Sequence, residues 1–249
     1  MTVEVRADLA HYRERPVKHR IGLIALATDH TSERDMQAIA PADDVGIYVS
    51  RVANRNPTNK ENLLAMQPRL AEAASLILSG EALDVMAYAC TSASVMIGDE
   101  TVKRSIHEAK PDVPVVTPTT AAFAAFAHLN VRRVSLLTPY IEPVTSAMRD
   151  YFEAHGLEVV NAVCLGIEDD RMMAKLTLEA VVDAALATMK PTAEALFISC
   201  TAVPAVSVVQ AIEDRLKKPV VTSNQAMAWQ SLRLAGCHRS IKGFGKLLS

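Results

Sequence analysis

The sequence predicts an α/β protein of two duplicated parallel-sheet lobes with a site between them. Three observations carry that expectation. Apolar, β-branched runs alternate with helical periodicity along the whole chain. The runs are continuously apolar rather than alternating, as strands buried on both faces should be. The two halves also repeat in order: RIGLIALAT at Arg20 with RRVSLLT around Arg133, VMAYACT at Cys90 with ALFISCT at Cys200, and PVVT at Pro114 with PVVT at Pro219. One shared apolar word could arise by chance, but three in the same order argue for two copies of one unit.

Residues 1–19 read as a polar arm, and RIGLIALAT (20–28) and VGIYVSRV (45–52) as buried strands. Residues 58–80 have helical spacing, with Thr58 as N-cap, Glu61 three residues on and Gly80 as a stop. Pro68 should kink or split that helix. ALDVMAYAC (82–90) reads as a central strand, followed by a helix, the strand VPVVT (113–117) and an Ala/Phe helix to Asn130. The second half predicts strands at 131–138, 157–165, 194–200 and 219–222. Helices are expected at 144–155, 177–189 and 205–216, with a last one ending at Gly236. Right-handed crossovers then give parallel sheets. The expected division is a first lobe over 1–128 and a second over 129–225, with residues 226–249 packing back on the first.

Half of the 249 residues are hydrophobic, enough for a sizeable core, and the net charge of −2 argues against a nucleic-acid partner. No apolar run approaches the roughly 18 residues of a membrane span. The charged N-terminal stretch does not read as a secretory signal, so a cytoplasmic location is expected. The apolar helix over 121–129 suits either core or a homo-oligomer contact.

Cys90, Cys164, Cys200 and Cys237 are spaced too widely for a zinc motif, and a disulfide framework does not suit a cytosolic chain. Cys90 and Cys200 stand apart. Each ends a strand, where parallel α/β sheets bind ligands, and each is followed by threonine. A lone strand-end cysteine would read as a small buried hydrophobe; two at equivalent repeat positions point to chemistry. A helix starting after each would stabilise a thiolate, and its free N–H groups would hold a carboxylate or an enolate oxygen. Thr91, Ser92, Ser94 and Thr201 add hydroxyls, which would serve equally as N-caps. Cys164 and Cys237 read as structural. So do Trp229, Phe123 and Phe126, which are assigned to the core. Arg51, Arg55 and His30 read first as solvated, and Asn224 first as a helix cap.

ACTSAS, RRVSLLTPYIEPV, LGIEDDRMMAKL, SCTAVPAV and PVVTSNQAMAWQSLRLAG together resemble the aspartate/glutamate racemase superfamily. The similarity is greatest to its arylmalonate decarboxylase, maleate cis-trans isomerase and ectoine-utilisation branch, and it spans nearly the whole chain. The resemblance implies that Cys90 and Cys200 are catalytic, that Thr91 and Ser92 line an oxyanion pocket, and that Tyr140 binds a substrate carboxylate. It implies no cofactor and no metal.

Two departures bear on the reaction. The decarboxylase branch carries glycine where this chain has Cys90. Two thiols suit racemisation or cis-trans isomerisation, whereas decarboxylation needs a single acid, Cys200. Maleate isomerases carry asparagine where this chain has Asp29, and tend to have asparagine where it has Ala202. A carboxylate about 4 Å from a dianionic substrate would cost about 4 kcal/mol at an effective dielectric near 20. Asp29 therefore favours an amino-acid-like or ectoine-like ligand, unless it serves only as an Asx-turn. The expected activity is a cofactor-independent isomerase or racemase of a small carboxylic or amino acid. The alternatives are an arylmalonate-type decarboxylase and a non-catalytic small-molecule binding protein.

Overall fold

The structure is a computed structural model and describes residues 2–249; position 1 of the expected arm lies outside the described residues. Two four-stranded parallel sheets form the frame. In the first, β1 (His19–Leu26), β2 (Val45–Val52), β3 (Val85–Tyr88) and β4 (Val115–Val116) lie in the order β2-β1-β3-β4. In the second, β5 (Arg133–Thr138), β6 (Glu158–Cys164), β7 (Ala195–Ile198) and β8 (Val220–Thr222) lie in the order β6-β5-β7-β8. The two orders are the same, strand for strand, so the repeat read from sequence is a repeat of topology. β1, β3 and β7 are buried along their whole length, which accounts for their unbroken apolar runs.

The helices of the first half are α1 (Ser32–Ile39), α2 (Lys60–Leu64), α3 (Leu70–Ser75), α4 (Thr91–Ile97), α5 (Asp99–His107) and α6 (Pro118–His128). Those of the second are α7 (Glu142–Ala154), α8 (Asp170–Met173), α9 (Leu178–Thr188), α10 (Val209–Leu216) and α11 (Ser223–Leu234). The two PVVT words end in equivalent N-caps. Thr117 and Thr222 each accept the N–H of the third helical residue, and Thr120 and Gln225 bond back to complete capping boxes.

Two local expectations fail for identifiable reasons, and a third holds. Thr58 is not an N-cap: Asn59 caps α2 by accepting the Asn62 N–H at 2.9 Å, while the Thr58 N–H donates across the lobes to the Glu168 carbonyl at 2.7 Å. Pro68 splits the predicted helix, as expected, into α2, a 3-10 turn and α3. Cys200 does not open a helix. It sits at φ +105°, Pro204 follows, and the next α-helix begins only at Val209.

The lobes also exchange their last helices. α6 ends the first half, yet Phe126 meets Phe197 of β7 edge-on at 5.8 Å, and Phe123 packs on Phe152 of α7 at 5.0 Å. α11 ends the second half and packs on α6, α1 and β3. Beyond α11 the tail does not stay on the first lobe. The Lys246 N–H donates to Glu213 of α10, while Arg239 reaches Asp43 of the first. Removing the Phe126 ring would empty this seam: Phe126→Ala should cost about 3–5 kcal/mol in chemical denaturation, with an unchanged denaturant slope.

Candidate active site

A narrow cleft lies at the carboxyl ends of the strands, on the seam between lobes. The first lobe contributes Asp29 from the β1–α1 turn, Thr58 from the loop before α2, and Cys90 and Ser92 at the start of α4. The second lobe contributes Tyr140 after β5, Asp170 and Met173 of α8, and Cys200, Thr201 and Ala202 after β7. The two cysteines thus meet one space from opposite lobes.

Their surroundings differ. Cys90 is the N-cap of α4, and its thiol faces the Ser92 hydroxyl at 3.7 Å and the Ala93 N–H. Cys200 lies in an irregular turn where the Ala202 N–H donates to its sulfur at 3.4 Å and Met173 Sδ lies 3.8 Å away. A non-glycine residue at φ +105° carries strain on the order of 1–3 kcal/mol and persists only where its neighbours hold it. Burial pushes the Cys90 thiol up to about 11 and the Cys200 thiol up to about 12, against the smaller opposing pull of their hydrogen bonds. Desolvation therefore outweighs the helix N-terminus at Cys90, and both groups rest as thiols at neutral pH.

Tyr140 is almost fully buried and borders the cleft, with Cys200 and Ser92 as the polar side chains near its hydroxyl. Burial raises its pKa well above the ordinary phenol value, so it stays a donor. Ser94 is turned away, its hydroxyl donating to the Cys90 carbonyl at 2.8 Å.

The structure does not bring Thr91 to the cleft: its hydroxyl donates to Ser223 Oγ at 2.8 Å. Thr201 borders the cleft, but its hydroxyl donates to the Ala89 carbonyl at 3.1 Å, tying the lobes together. Asn224 is not the cap of α11; it donates to Asp35 at 2.8 Å and to the Thr201 carbonyl at 2.9 Å. Burial raises the Asp35 carboxyl to about 6.

Asp29 makes the Asx-turn, accepting the Thr31 and Ser32 N–H groups at 2.9 and 2.8 Å and the Ser32 hydroxyl at 2.6 Å. It borders the cleft as well, and burial raises its pKa. Arg51 supports that turn, donating to the Leu26 and Asp29 carbonyls, and does not reach the cleft. His30 is exposed, and Cys164 is half-buried on edge strand β6 rather than in the core.

Sequence reasoning missed Asp170. It reaches from the second lobe to Thr28, to Asn54 at 3.2 Å and to Asn56 at 2.7 Å, all donors of the first lobe, and it borders the cleft. With Asp29 it places two buried carboxyls in the site. Arg55 is the cation at the lining, and it is exposed.

No helix among the described residues is long and apolar enough to cross a membrane. The maleate isomerase of Alcaligenes faecalis is 26% identical over 246 residues, covering 93% of this chain and 96% of that protein. The crystal structure of the maleate isomerase Iso from Pseudomonas putida S16 superposes with a TM-score of 0.85 at 25% identity, covering 93% of this chain and 98% of that one. A mutant Nocardia farcinica maleate cis-trans isomerase with a covalently bound succinylcysteine intermediate shares the fold, with a TM-score of 0.85 at 24% identity over 92% of this chain and 98% of that one. Residues 60–248 match the sequence model of the family described as arylmalonate decarboxylase, and the chain belongs to that family.

Proposed function

We propose that this chain is a cysteine-dependent cis-trans isomerase of a small unsaturated carboxylic acid whose second polar end carries a hydrogen-bond donor. The observation that carries the reading is the pair of sulfurs, Cys90 and Cys200, lining one cleft from opposite lobes. Maleate isomerases as relatives over nearly the full chain, and the cysteine adduct in the Nocardia enzyme, support the same chemistry.

Cys90 is the nucleophile in this scheme: it sits at the N-terminus of α4 with the Ser92 hydroxyl 3.7 Å from its sulfur, whereas Cys200 has no helix start beside it. Its proton passes to solvent. The thiolate then adds to one alkene carbon: a C–S bond forms and the π pair moves onto the conjugated carboxyl group as an enediolate. The former double bond is now single and rotates. Return of the electron pair re-forms the alkene and expels the thiolate, releasing the trans acid. Cys200 can protonate the carbanion carbon and recover that proton before elimination. Tyr140 and Ser92 donate to the oxygens that gain charge, where buried donors act most strongly.

The donor-bearing end follows from the carboxyls. Asp29 and Asp170 border the cleft, and the cations beside them, Arg51 near Asp29 and Arg55 at the lining, are exposed to solvent. A second substrate carboxylate would face like charge, whereas an amide, ammonium or ectoine-like amidinium group would find acceptors. Arylmalonate decarboxylation is the competing reading. It needs Cys200 alone and leaves Cys90 without a task.

Only a thiolate alkylates, so the rate of iodoacetamide labelling at both cysteines should climb about tenfold per pH unit from pH 7 to 9. A plateau below pH 8 would contradict burial-raised thiols. Cys90→Ser and Cys200→Ser should each lower cis-trans turnover by about 10²–10⁴-fold. With wild-type protein, the half-amide of maleic acid should be turned over faster than maleate, and Asp170→Asn should shift that preference toward maleate by about tenfold or more, on the order of 1.4 kcal/mol. Release of CO2 from substituted malonates without any cis-trans turnover would replace this reading with the decarboxylase one.

A further inference from the structure

We propose that Ser223 is a positioning residue for Cys200, holding its sulfur toward the cleft through one oxygen shared by the two catalytic turns. Ser223 opens α11, is fully buried and does not border the cleft, so any action on the reaction runs through a neighbour. Its Oγ accepts the Cys200 N–H at 3.0 Å and the Thr91 hydroxyl at 2.8 Å. Thr91 directly follows Cys90. A single oxygen therefore links the peptide of one sulfur to the residue beside the other.

Cys200 needs such a link more than Cys90 does. Cys90 has extended backbone ahead of α4, so the helix fixes it. Cys200 has φ +105° and no helix starting directly after it. A cysteine relaxes from that conformation unless its peptide is held, and its N–H has Ser223 as its partner. Ser223 directly follows β8, which pairs with β7, so its hydroxyl stands beside Cys200 on the second sheet while the bond from Thr91 ties it to the first lobe. Ser223 thus sets how the two sulfurs face each other. This rests on the isomerase reading only for its effect on turnover; the direction of the Cys200 thiol can be measured without substrate.

The test is Ser223→Ala in the full chain, with iodoacetamide rates resolved by cysteine from peptide masses. A lost hydrogen bond should change the Cys200 rate by about fivefold or more, with Cys90 kept within about twofold of wild type and an unchanged far-ultraviolet circular dichroism spectrum. Ser223→Thr, which keeps the oxygen, should restore the wild-type ratio. Where cis-trans turnover is present, kcat should fall about a hundredfold with little change in KM, as expected for a misplaced reacting group. Labelling of both cysteines at wild-type rates, or an equal change at both, would overturn the proposal. Should the alanine variant fail to fold, amide-resolved hydrogen exchange on the wild-type protein decides. The Cys200 amide should exchange orders of magnitude more slowly than the exposed turn amide of Gly80, and a comparable rate would overturn the proposal.

Discussion

Desolvation of two sulfur atoms on one lobe seam is the constraint from which the rest of this protein follows. A thiol in a dry cleft resists ionisation, and each sulfur is surrounded by groups that partly answer that cost: Ser92 and the Ala93 N–H at Cys90, Tyr140 and the Ala202 N–H at Cys200. Ionising a thiol of pKa about 11 at pH 7 costs roughly 5 kcal/mol. In the proposed reaction the same donors would face the oxygens of the substrate, so what eases ionisation of the sulfur would also stabilise the charge that leaves it.

The duplicated architecture explains how that seam is built. Two sheets of identical order aim the ends of β3 and β7 at one space, and exchange of α6 and α11 fixes the lobes against each other. Hydrogen bonds then cross the seam around the cleft, from Thr201 to Ala89, from Thr91 to Ser223, and from Asn54 and Asn56 to Asp170. The symmetry is broken where the chemistry is. One cysteine caps a helix and the other bends through a turn at φ +105°, so two sulfurs at equivalent strand ends have unlike surroundings and can take unequal roles.

What the sequence disclosed tracks how local the controlling physics is. The strands, the repeat and the paired cysteines were legible because burial on both faces writes continuous apolar words, and because PVVT and CT recur in order. Thr58 misled because T-x-x-E imitates a capping box, while the stronger local cap, Asn59, and a partner more than a hundred residues away decide the outcome. The turn after Cys200 looked helical by analogy with Cys90, and only Pro204 hinted otherwise. Asp170 was invisible for the opposite reason. LGIEDDRMMAKL carried part of the family resemblance, but nothing near Asp170 announces Thr28, Asn54 and Asn56 in the other lobe.

The most direct measurement of the central claim is intramolecular bridging by a short bifunctional thiol reagent, dibromobimane, followed by peptide mass mapping of the single chain. Sulfurs that face one cleft should yield a bimane joining the Cys90 peptide to the Cys200 peptide, and Cys90→Ser should abolish it. Separate single adducts on the two peptides, with no bridge, would contradict the account.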